Sequence, residues 1–317
     1  MALPDFLVIG APKAGSTAVH DALVRHPELF LSTPKEPKYF MTDGATPRRG
    51  AHRGPSDAHS AREWIWRRDD YEALFDRAPT GTLRGESTPF YLWDSTAHRR
   101  IRETVPDVKL IAIIRDPVDR AYSNWTHLWC DGLETEPDFV TACRREPERV
   151  AAGFAPFWRY LELGKYGEQL QRLFDVFPRE QVHVLRYKDL VDQPAKSLDA
   201  VCEFLCVEPG LIDGIPSSNM SGWANGGIVN SALRRTIRTG ATLGAYTPPS
   251  LWRRAQAPLV RALRRERSIR PHLGIAARRE LVEYFRADIG LLENVLGKPF
   301  HDWVGDSGRG TYAVRKS

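Results

Sequence analysis

The chain has 317 residues, of which 42% are hydrophobic and 27% are charged, and its formal net charge is +5. This balance is typical of a globular protein and excludes an intrinsically disordered one. The sequence has no apolar run of about 18 residues and therefore predicts no membrane-spanning helix. The positive net charge is compatible with an anionic ligand but does not require one.

The cysteine content and the start of the chain indicate the cellular compartment in which the protein is expected. Four cysteines are too few to indicate a disulfide scaffold. We interpret Cys202 and Cys206, four residues apart in a predicted helix, as buried thiols, because no histidine or second cysteine pair accompanies them as in a zinc site. No leader pattern precedes the first predicted strand, so we expect a cytoplasmic protein.

The first recognisable stretch is an apolar run at residues 6–9, followed by a Gly/Pro turn that carries Lys13. The run predicts a buried parallel strand, and a helical pattern over residues 18–26 follows the turn. We expect Ser16 or Thr17 to cap that helix, whose free amides would then suit a phosphate or another oxyanion. An ordinary strand–turn–helix connection is the alternative.

The position of Lys13 distinguishes this turn from an ATP- or GTP-binding loop. A Walker A motif has lysine directly before Ser or Thr. Here Gly15 precedes Ser16, and the lysine lies two residues before that glycine. The spacing therefore argues against an ordinary nucleoside triphosphate loop.

Strands and helices alternate along the rest of the chain. Further strands are predicted at residues 29–31, within 82–92, at Lys109–Ile114 and at 182–187. Helices are predicted at residues 70–77, 95–105, 136–150, 164–177, 195–207 and 278–296. This order predicts an α/β fold with a central, mostly parallel sheet and helices on both faces. We expect one domain over residues 1–317, with substrate-shaping insertions at 42–69 and 208–270.

Charged residues follow two of these strands. Arg115 comes directly after the strand Lys109–Ile114, Pro117 suits the first turn of the next helix, and Ser123 lies two turns into it. After the strand predicted at residues 29–31, Glu36 stands between Lys35 and Lys38 in a proline-flanked segment that is extended or turning. Ligands of open α/β sheets bind at such strand ends, so both places are candidate sites.

Taken together, these motifs resemble those of the sulfotransferases that use 3′-phosphoadenosine 5′-phosphosulfate (PAPS). Residues 12–17 resemble the loop that holds the 5′-phosphosulfate, and residues 115–123 resemble the 3′-phosphate motif. Residues 35–40 and 85–92 resemble two motifs of the glycosaminoglycan sulfotransferase branch, the first of which carries the catalytic glutamate. The resemblance implies a P-loop-like three-layer fold.

The resemblance also implies roles for individual residues. Lys13 would stabilise the bridging oxygen, Glu36 would remove the acceptor proton, and Ser123 would hold the 3′-phosphate with Arg115. The implied PAPS-binding residues are Lys13, Ala14, Gly15, Ser16, Thr17, Ala18, Arg115, Ser123, Tyr187, Asn225, Gly226, Gly227, Arg234 and Arg235. The implied acceptor-binding residues are Lys35, Lys38, Tyr39, Trp64 and Glu86. No metal ion is expected, because a sulfuryl group carries less charge than a γ-phosphoryl group.

Some alternatives remain open at this level. Ser87 stands where the glycosaminoglycan branch usually has lysine, and either residues 225–235 or residues 308–310 would close over the 3′-phosphate. Five histidines are alternative bases: His20, His26, His98, His127 and His183. The acceptor is expected to be a hydroxyl, less readily an amine, of a small natural product or a saccharide. Nucleic acid and stable membrane insertion are not expected, and the oligomeric state is open.

Two other functions are compatible with parts of the sequence. One is an atypical P-loop kinase, which requires Mg²⁺-dependent ATP turnover. The other is a non-catalytic basic protein that binds nucleotides or polyanions, whose binding would be salt-sensitive and independent of Lys13.

Overall fold

The computed structural model describes residues 2–46, 64–216 and 272–305, together with helical positions at 233, 235–237, 239–241 and 257–259. Its centre is a parallel sheet of five strands in the order β2-β3-β1-β4-β5. The strands are β1 (Phe6–Gly10), β2 (Leu29–Leu31), β3 (Leu83–Ser87), β4 (Lys109–Ile114) and β5 (Val182–Arg186). The predicted parallel α/β sheet is confirmed.

Helices connect the strands and extend beyond the last one. Those before β5 are α1 (Ser16–Leu23), α2 (Arg68–Glu72), α3 (Ser95–Thr104), α4 (Pro117–Cys130), α5 (Phe139–Arg144), α6 (Glu146–Ala151) and α7 (Tyr166–Phe174). Those after β5 are α8 (Tyr187–Asp192), α9 (Pro194–Leu205), α10 (Ile275–Leu296) and α11 (His301–Val304). None of these described helices is both long and apolar enough to cross a membrane.

The apolar runs of β1 and β4 form the middle of the core. Every residue of β1 is buried, and β4 is buried from its second residue onward. Phe6 pairs with Gly85 of β3, where an added Cβ would lie 2.2 Å from the phenyl ring. A glycine at position 85 therefore lets β3 pack directly against the ring of Phe6.

The strand order places a topological switch point between β1 and β4. From β1 the chain crosses towards β2 on one side, whereas from β4 it crosses towards β5 on the other. Right-handed crossovers in opposite directions place α1 and α4 on opposite faces of the sheet. A crevice therefore opens between the carboxyl ends of β1 and β4, which is where ligands bind in open α/β sheets.

The long helix α10 packs along α7. Its Asp288 carboxylate accepts the backbone N–H groups of Gly167 and Glu168, each at 2.9 Å, and so satisfies the first turn of α7. A Cβ added at Gly167 would lie 2.4 Å from the Asp288 carbonyl oxygen. The two helices thus approach each other closely at this glycine.

Three local predictions are wrong. Helix α1 begins at Ser16 itself, and its N-cap is Gly15 without a side-chain cap, so neither Ser16 nor Thr17 is the cap. The helix predicted over 136–150 is instead α5 and α6, because Pro147 lacks the N–H that a continuous helix would need. Cys206 is exposed, since it lies at the C-cap beyond the last turn of α9, whereas Cys202 is buried as expected.

Candidate active site

Five candidate residues lie at the carboxyl edge of the sheet. Lys13 follows β1, Glu36 follows β2, Glu86 is the penultimate residue of β3, Arg115 follows β4, and Tyr187 follows β5. The strands are all parallel, so these five positions share one edge.

The turn after β1 suits the binding of an anion. Gly15 has φ 105°, and a Cβ at this position would lie 2.7 Å from the Tyr187 ring. Because α1 begins directly afterwards, its first amides have no acceptor within the helix, and its dipole favours a negative charge here. Within this stretch Ala14 and Ser16 are buried, whereas Thr17 is exposed and Ala18 is partly buried.

Arg115 joins this turn from the neighbouring strand. Its Nη1 donates to the Lys13 carbonyl oxygen at 3.4 Å, and its guanidinium carbon lies 4.7 Å from the centroid of the Tyr187 ring. Its Nε is buried and has no hydrogen-bond acceptor among the residues that the structure describes. A guanidinium with an unused buried donor next to a glycine turn fits a phosphate-bearing nucleotide.

His127 is a site residue that the sequence did not single out from the other histidines. The Lys13 Nζ lies 3.3 Å from its Nδ1, and its Nε2 lies 3.4 Å from an Asp131 carboxylate oxygen. Ser123, which is partly buried, precedes His127 by one turn on α4. That i, i+4 spacing was the available signal, because such residues share a helix face.

Glu36 lies beside the turn after β1 and is linked to it by Lys35. The Lys35 Nζ donates to Thr17 Oγ1 at 2.8 Å and lies 3.4 Å from Glu36 Oε1. Glu36 is only 2% exposed. The structure therefore brings a buried carboxylate close to the first turn of α1.

Three charged site residues have left-handed backbone conformations. The φ angles are 65° at Lys13, 65° at Glu36 and 60° at Lys38. Such values are uncommon for residues other than glycine and tend to cluster at functional sites.

Two of the predicted acceptor-binding residues, Lys38 and Tyr39, lie close to Glu36 in the chain but have different surroundings. Lys38 is buried, and its Nζ lies 5.2 Å from the centroid of the Trp64 ring. Tyr39 stacks on Tyr71 with ring centroids 4.1 Å apart. Lys38 and Trp64 therefore form one wall beside Glu36.

Glu86 is completely buried and accepts three hydroxyl groups. Tyr91 donates to it at 2.8 Å and Tyr71 at 3.2 Å through one oxygen, and Thr88 donates at 2.8 Å to the other. Burial raises the pKa of Glu86 to about 7, and the nearby Glu36 charge acts in the same direction. Its surroundings here are protein side chains, so the substrate contact of Glu86 stays a prediction.

Ser87, which stands where the glycosaminoglycan branch usually has lysine, is paired with a histidine. The His20 Nδ1 lies 2.8 Å from Ser87 Oγ. Burial, followed by the Lys35 charge, lowers the pKa of His20 to about 4, whereas Glu36 acts in the opposite direction. His20 is therefore neutral at physiological pH.

The other three candidate histidines have structural surroundings. His26 lies 2.8 Å from the Glu208 carbonyl oxygen, and His98 lies 3.2 Å from that of Leu92. His183 lies against the Phe204 ring.

The start of α4 is fixed by an ion-pair cluster. Asp116 caps the helix by accepting the N–H groups of Val118 and Asp119 at 2.9 and 3.0 Å. Arg278 of α10 forms ion pairs with both Asp116 and Asp119. Arg120 is completely buried and donates to protein oxygens, so these charged residues position the helix that carries Ser123.

Several implied PAPS-binding residues lie outside the described residues: Asn225, Gly226, Gly227 and Arg234. Arg235 is an exposed residue of a short helical stretch. Over the part of the chain that the structure describes, no group of three or more His, Cys, Asp or Glu residues could hold a metal ion.

A family model described as the sulfotransferase family matches residues 4–209, which is more than half of the chain. The protein therefore belongs to the sulfotransferase family, as the motifs indicated.

Among curated relatives, the human bifunctional heparan sulfate N-deacetylase/N-sulfotransferase 3 is 31% identical over 209 residues, which cover 65% of this chain and 23% of that protein. The human heparan sulfate glucosamine 3-O-sulfotransferase 3B1 is 29% identical over 204 residues, 64% of this chain and 46% of that protein. The chain thus matches less than half the length of either relative.

A solved structure is similar over nearly its whole length. The sulfotransferase from Alicyclobacillus acidocaldarius is 26% identical, with a TM-score of 0.71, and the match covers 96% of this chain and 99% of that one. This likeness supports the parallel α/β architecture described above.

Proposed function

We propose that this protein transfers a sulfuryl group from PAPS to an acceptor hydroxyl. The observation that carries the proposal is the Lys35 bridge between Thr17 Oγ1 and Glu36 Oε1, at 2.8 and 3.4 Å. It places a buried carboxylate beside the anion-binding turn. A reaction between an anionic donor and a hydroxyl needs this arrangement.

The donor would bind across the switch point. The first amides of α1 and Lys13 would hold the 5′-phosphosulfate, and Arg115 with Ser123 would hold the 3′-phosphate. Tyr187, which already stacks with the Arg115 guanidinium, would pack on the adenine. When bound, PAPS supplies an activated sulfuryl group on a phosphate leaving group.

The chain supplies charge stabilisation and a base. Lys13 and the α1 amides stabilise negative charge that develops on the phosphate oxygen. Glu36 accepts the proton of the acceptor hydroxyl on a carboxylate oxygen. A positioned base typically contributes about 10²–10⁴ in rate. Lys35 favours the ionised form of that base.

The acceptor is proposed to be a saccharide or a small natural product. The two human relatives are named for heparan sulfate, which supports a saccharide. The Lys38–Trp64 wall beside Glu36 offers an aromatic ring and a cation, which suit a sugar ring with anionic substituents. Hydroxyl transfer is proposed ahead of amine transfer, as in the relative that is named a 3-O-sulfotransferase.

Calorimetric titration with 3′,5′-ADP, the desulfated product of PAPS, tests donor binding. We expect tight binding that is lost in Lys13→Ala and Arg115→Ala and retained in Lys188→Ala, an exposed lysine that pairs with Asp192. ATP in place of 3′,5′-ADP should bind weakly. Preferential binding of ATP, or polyanion binding that survives Lys13→Ala, would contradict the proposal.

Transfer of radiolabelled sulfate from PAPS to desulfated heparan sulfate and to a panel of phenols tests the reaction. We expect Glu36→Gln to retain 3′,5′-ADP binding and to lower kcat by about 10²–10⁴. Glu146→Gln, which alters a buried carboxylate in α6, is the matched control and should retain kcat. A Glu36→Gln variant with wild-type kcat would overturn the assignment of the base.

A further inference from the structure

We propose that Glu86 is a positioning residue for Glu36. Through three hydroxyl groups it holds the segment of residues 35–40 that carries the base, and its charge tunes the basicity of Glu36. The inference rests on the proposed function, in which Glu36 is the base.

Thr88 and Tyr91 connect Glu86 to the backbone of this segment. Thr88 Oγ1 donates to Glu86 at 2.8 Å and accepts the Lys38 N–H at 3.3 Å. The Tyr91 hydroxyl donates to Glu86 at 2.8 Å and accepts the Phe40 N–H at 3.3 Å. Each hydroxyl has one proton, so donation to Glu86 directs its lone pairs towards those N–H groups.

Tyr71 completes the arrangement from α2. Its hydroxyl donates to Glu86 at 3.2 Å, while its ring stacks on Tyr39 and meets Phe40 edge-on at 5.4 Å. All three donors to Glu86 therefore also touch residues 38–40. The carboxylate is the common acceptor that orients them.

These contacts hold a strained piece of backbone. Glu36 and Lys38 have φ angles of 65° and 60°, and the anchored N–H groups belong to residues 38 and 40. A left-handed conformation at a residue with a side chain persists only where surrounding contacts enforce it. Loss of the anchors would let Glu36 turn away from the turn after β1.

The same arrangement couples two buried carboxylates electrostatically. Glu36 faces Lys35, His20 and Glu86, whereas Glu86 faces Glu36 and the three hydroxyl groups. A negative charge on either glutamate disfavours ionisation of the other. Lys35 weakens Glu36 as a base, and an ionised Glu86 restores part of its affinity for a proton.

Kinetics of Glu86→Gln, Tyr91→Phe and Thr88→Val test positioning. We expect Glu86→Gln to lower kcat by about 10²-fold, because a misplaced reacting group has that effect. The KM for PAPS should stay within about twofold, since the donor site is unchanged. Thr88→Ser, which keeps the hydroxyl, should restore most of the kcat lost in Thr88→Val.

Tyr160→Phe is the matched control for Tyr91→Phe. Tyr160 also donates to a buried glutamate, Glu134, at 2.6 Å. Removal of the Tyr160 hydroxyl should lower the free energy of unfolding about as much as Tyr91→Phe does, and it should leave kcat unchanged. If Tyr91→Phe and Glu86→Gln both keep wild-type kcat, the positioning role is wrong. If Glu86→Gln does not fold, the comparison of Tyr91→Phe with Tyr160→Phe and that of Thr88→Val with Thr88→Ser decide whether the positioning role holds.

The pH profile of kcat separates tuning from simple support. Ionisation of Glu86 raises the proton affinity of the neighbouring Glu36, so kcat should show an inflection near pH 7 that is lost in Glu86→Gln. A purely structural role would lower kcat in Glu86→Gln without any such inflection in the wild-type profile, which would contradict the tuning.

Infrared titration of the ligand-free protein tests the coupling without turnover. The carboxylic acid C=O band of Glu86, identified by its loss in Glu86→Gln, should titrate with a pKa of about 7. Its midpoint should fall in Glu36→Gln, because the neighbouring charge is gone. An unchanged midpoint overturns the coupling. A shifted midpoint in a protein that transfers no sulfate means that only the proposed function has failed.

Discussion

Two completely buried glutamates have contrasting surroundings. Glu86, at the sheet edge, accepts three neutral hydroxyl groups, whereas Glu134, after α4, accepts both terminal nitrogens of Arg149 at 2.8 Å and the Tyr160 hydroxyl. The guanidinium compensates the negative charge of the buried Glu134, and loss of the pair would leave that charge buried without a partner. Hydroxyl donors satisfy a carboxylate and leave its protonation free to respond to neighbours.

The difference shows how burial serves two purposes in one chain. The Glu134 cluster joins the loop after α4 to α6 and to residue 160, and its role is structural. The Glu86 cluster lies next to the proposed base. Because the pKa of Glu86 is about 7, its protonation at neutral pH can respond to the charge of Glu36. The following predictions test this contrast.

The largest effect on the free energy of unfolding is expected for Arg149→Met. This change leaves Glu134 buried without its charged partner and should lower the free energy of unfolding by about 3–5 kcal/mol. Urea unfolding measures it, and the double variant Arg149→Met/Glu134→Gln should recover part of the loss. A loss below about 1 kcal/mol would mean that the ion pair is not the main support of this cluster.

The Glu86 cluster should make stability depend on pH. The folded-state pKa of about 7 lies above the ordinary 4.5, so the unfolded state ionises first as pH rises. Stability is therefore lost between about pH 4.5 and 7, by about 3 kcal/mol in total. Urea unfolding of wild type and Glu86→Gln across this range should show the difference; parallel curves would contradict it.

His20 should give the opposite slope in the same region. Its folded-state pKa of about 4 lies below the ordinary 6.5, so the unfolded state binds a proton first as pH falls. Stability is lost as pH falls from about 6.5 to 4, by about 2 kcal/mol because the ring is not completely buried. His20→Asn should remove this slope. Difference curves against wild type separate the two effects.

The smallest expected effect is that of Tyr160→Phe on stability. It removes one hydrogen bond to a glutamate that keeps Arg149, so the free energy of unfolding should fall by about 1–2 kcal/mol. Thermal unfolding at pH 7 measures it. A loss as large as that of Arg149→Met would show that the hydroxyl, rather than the guanidinium, supports Glu134.

The local sequence pattern was sufficient to predict the sheet and the residues on the proposed donor side of the site. The strand Lys109–Ile114 has the predicted bounds, because a continuous apolar run followed by Arg-Asp-Pro has a clear end. Lys13 and Arg115 meet because both follow neighbouring parallel strands. Helix ends were less predictable: Gly15 takes the N-cap position in a left-handed conformation that spacing alone did not reveal.

The acceptor side depends on contacts between distant residues. Tyr71 and Glu86 are fifteen positions apart, and Tyr91 and Phe40 are 51 apart, so no window of sequence shows that they share one network. His127 was one of five candidate histidines until the fold brought its ring to Lys13. The cytoplasmic location and the single-domain organisation stay predictions.

Arg278 has a consequence for where the folding unit ends. The family match stops at residue 209, yet this arginine reaches back from α10 to the two aspartates at the start of α4. Asp288 of the same helix caps α7. A minimal catalytic unit cut at the end of the matched segment would leave those carboxylates without the Arg278 cation and α7 without its cap. Any transplant of this enzyme unit into a larger assembly must therefore include α10, Ile275–Leu296.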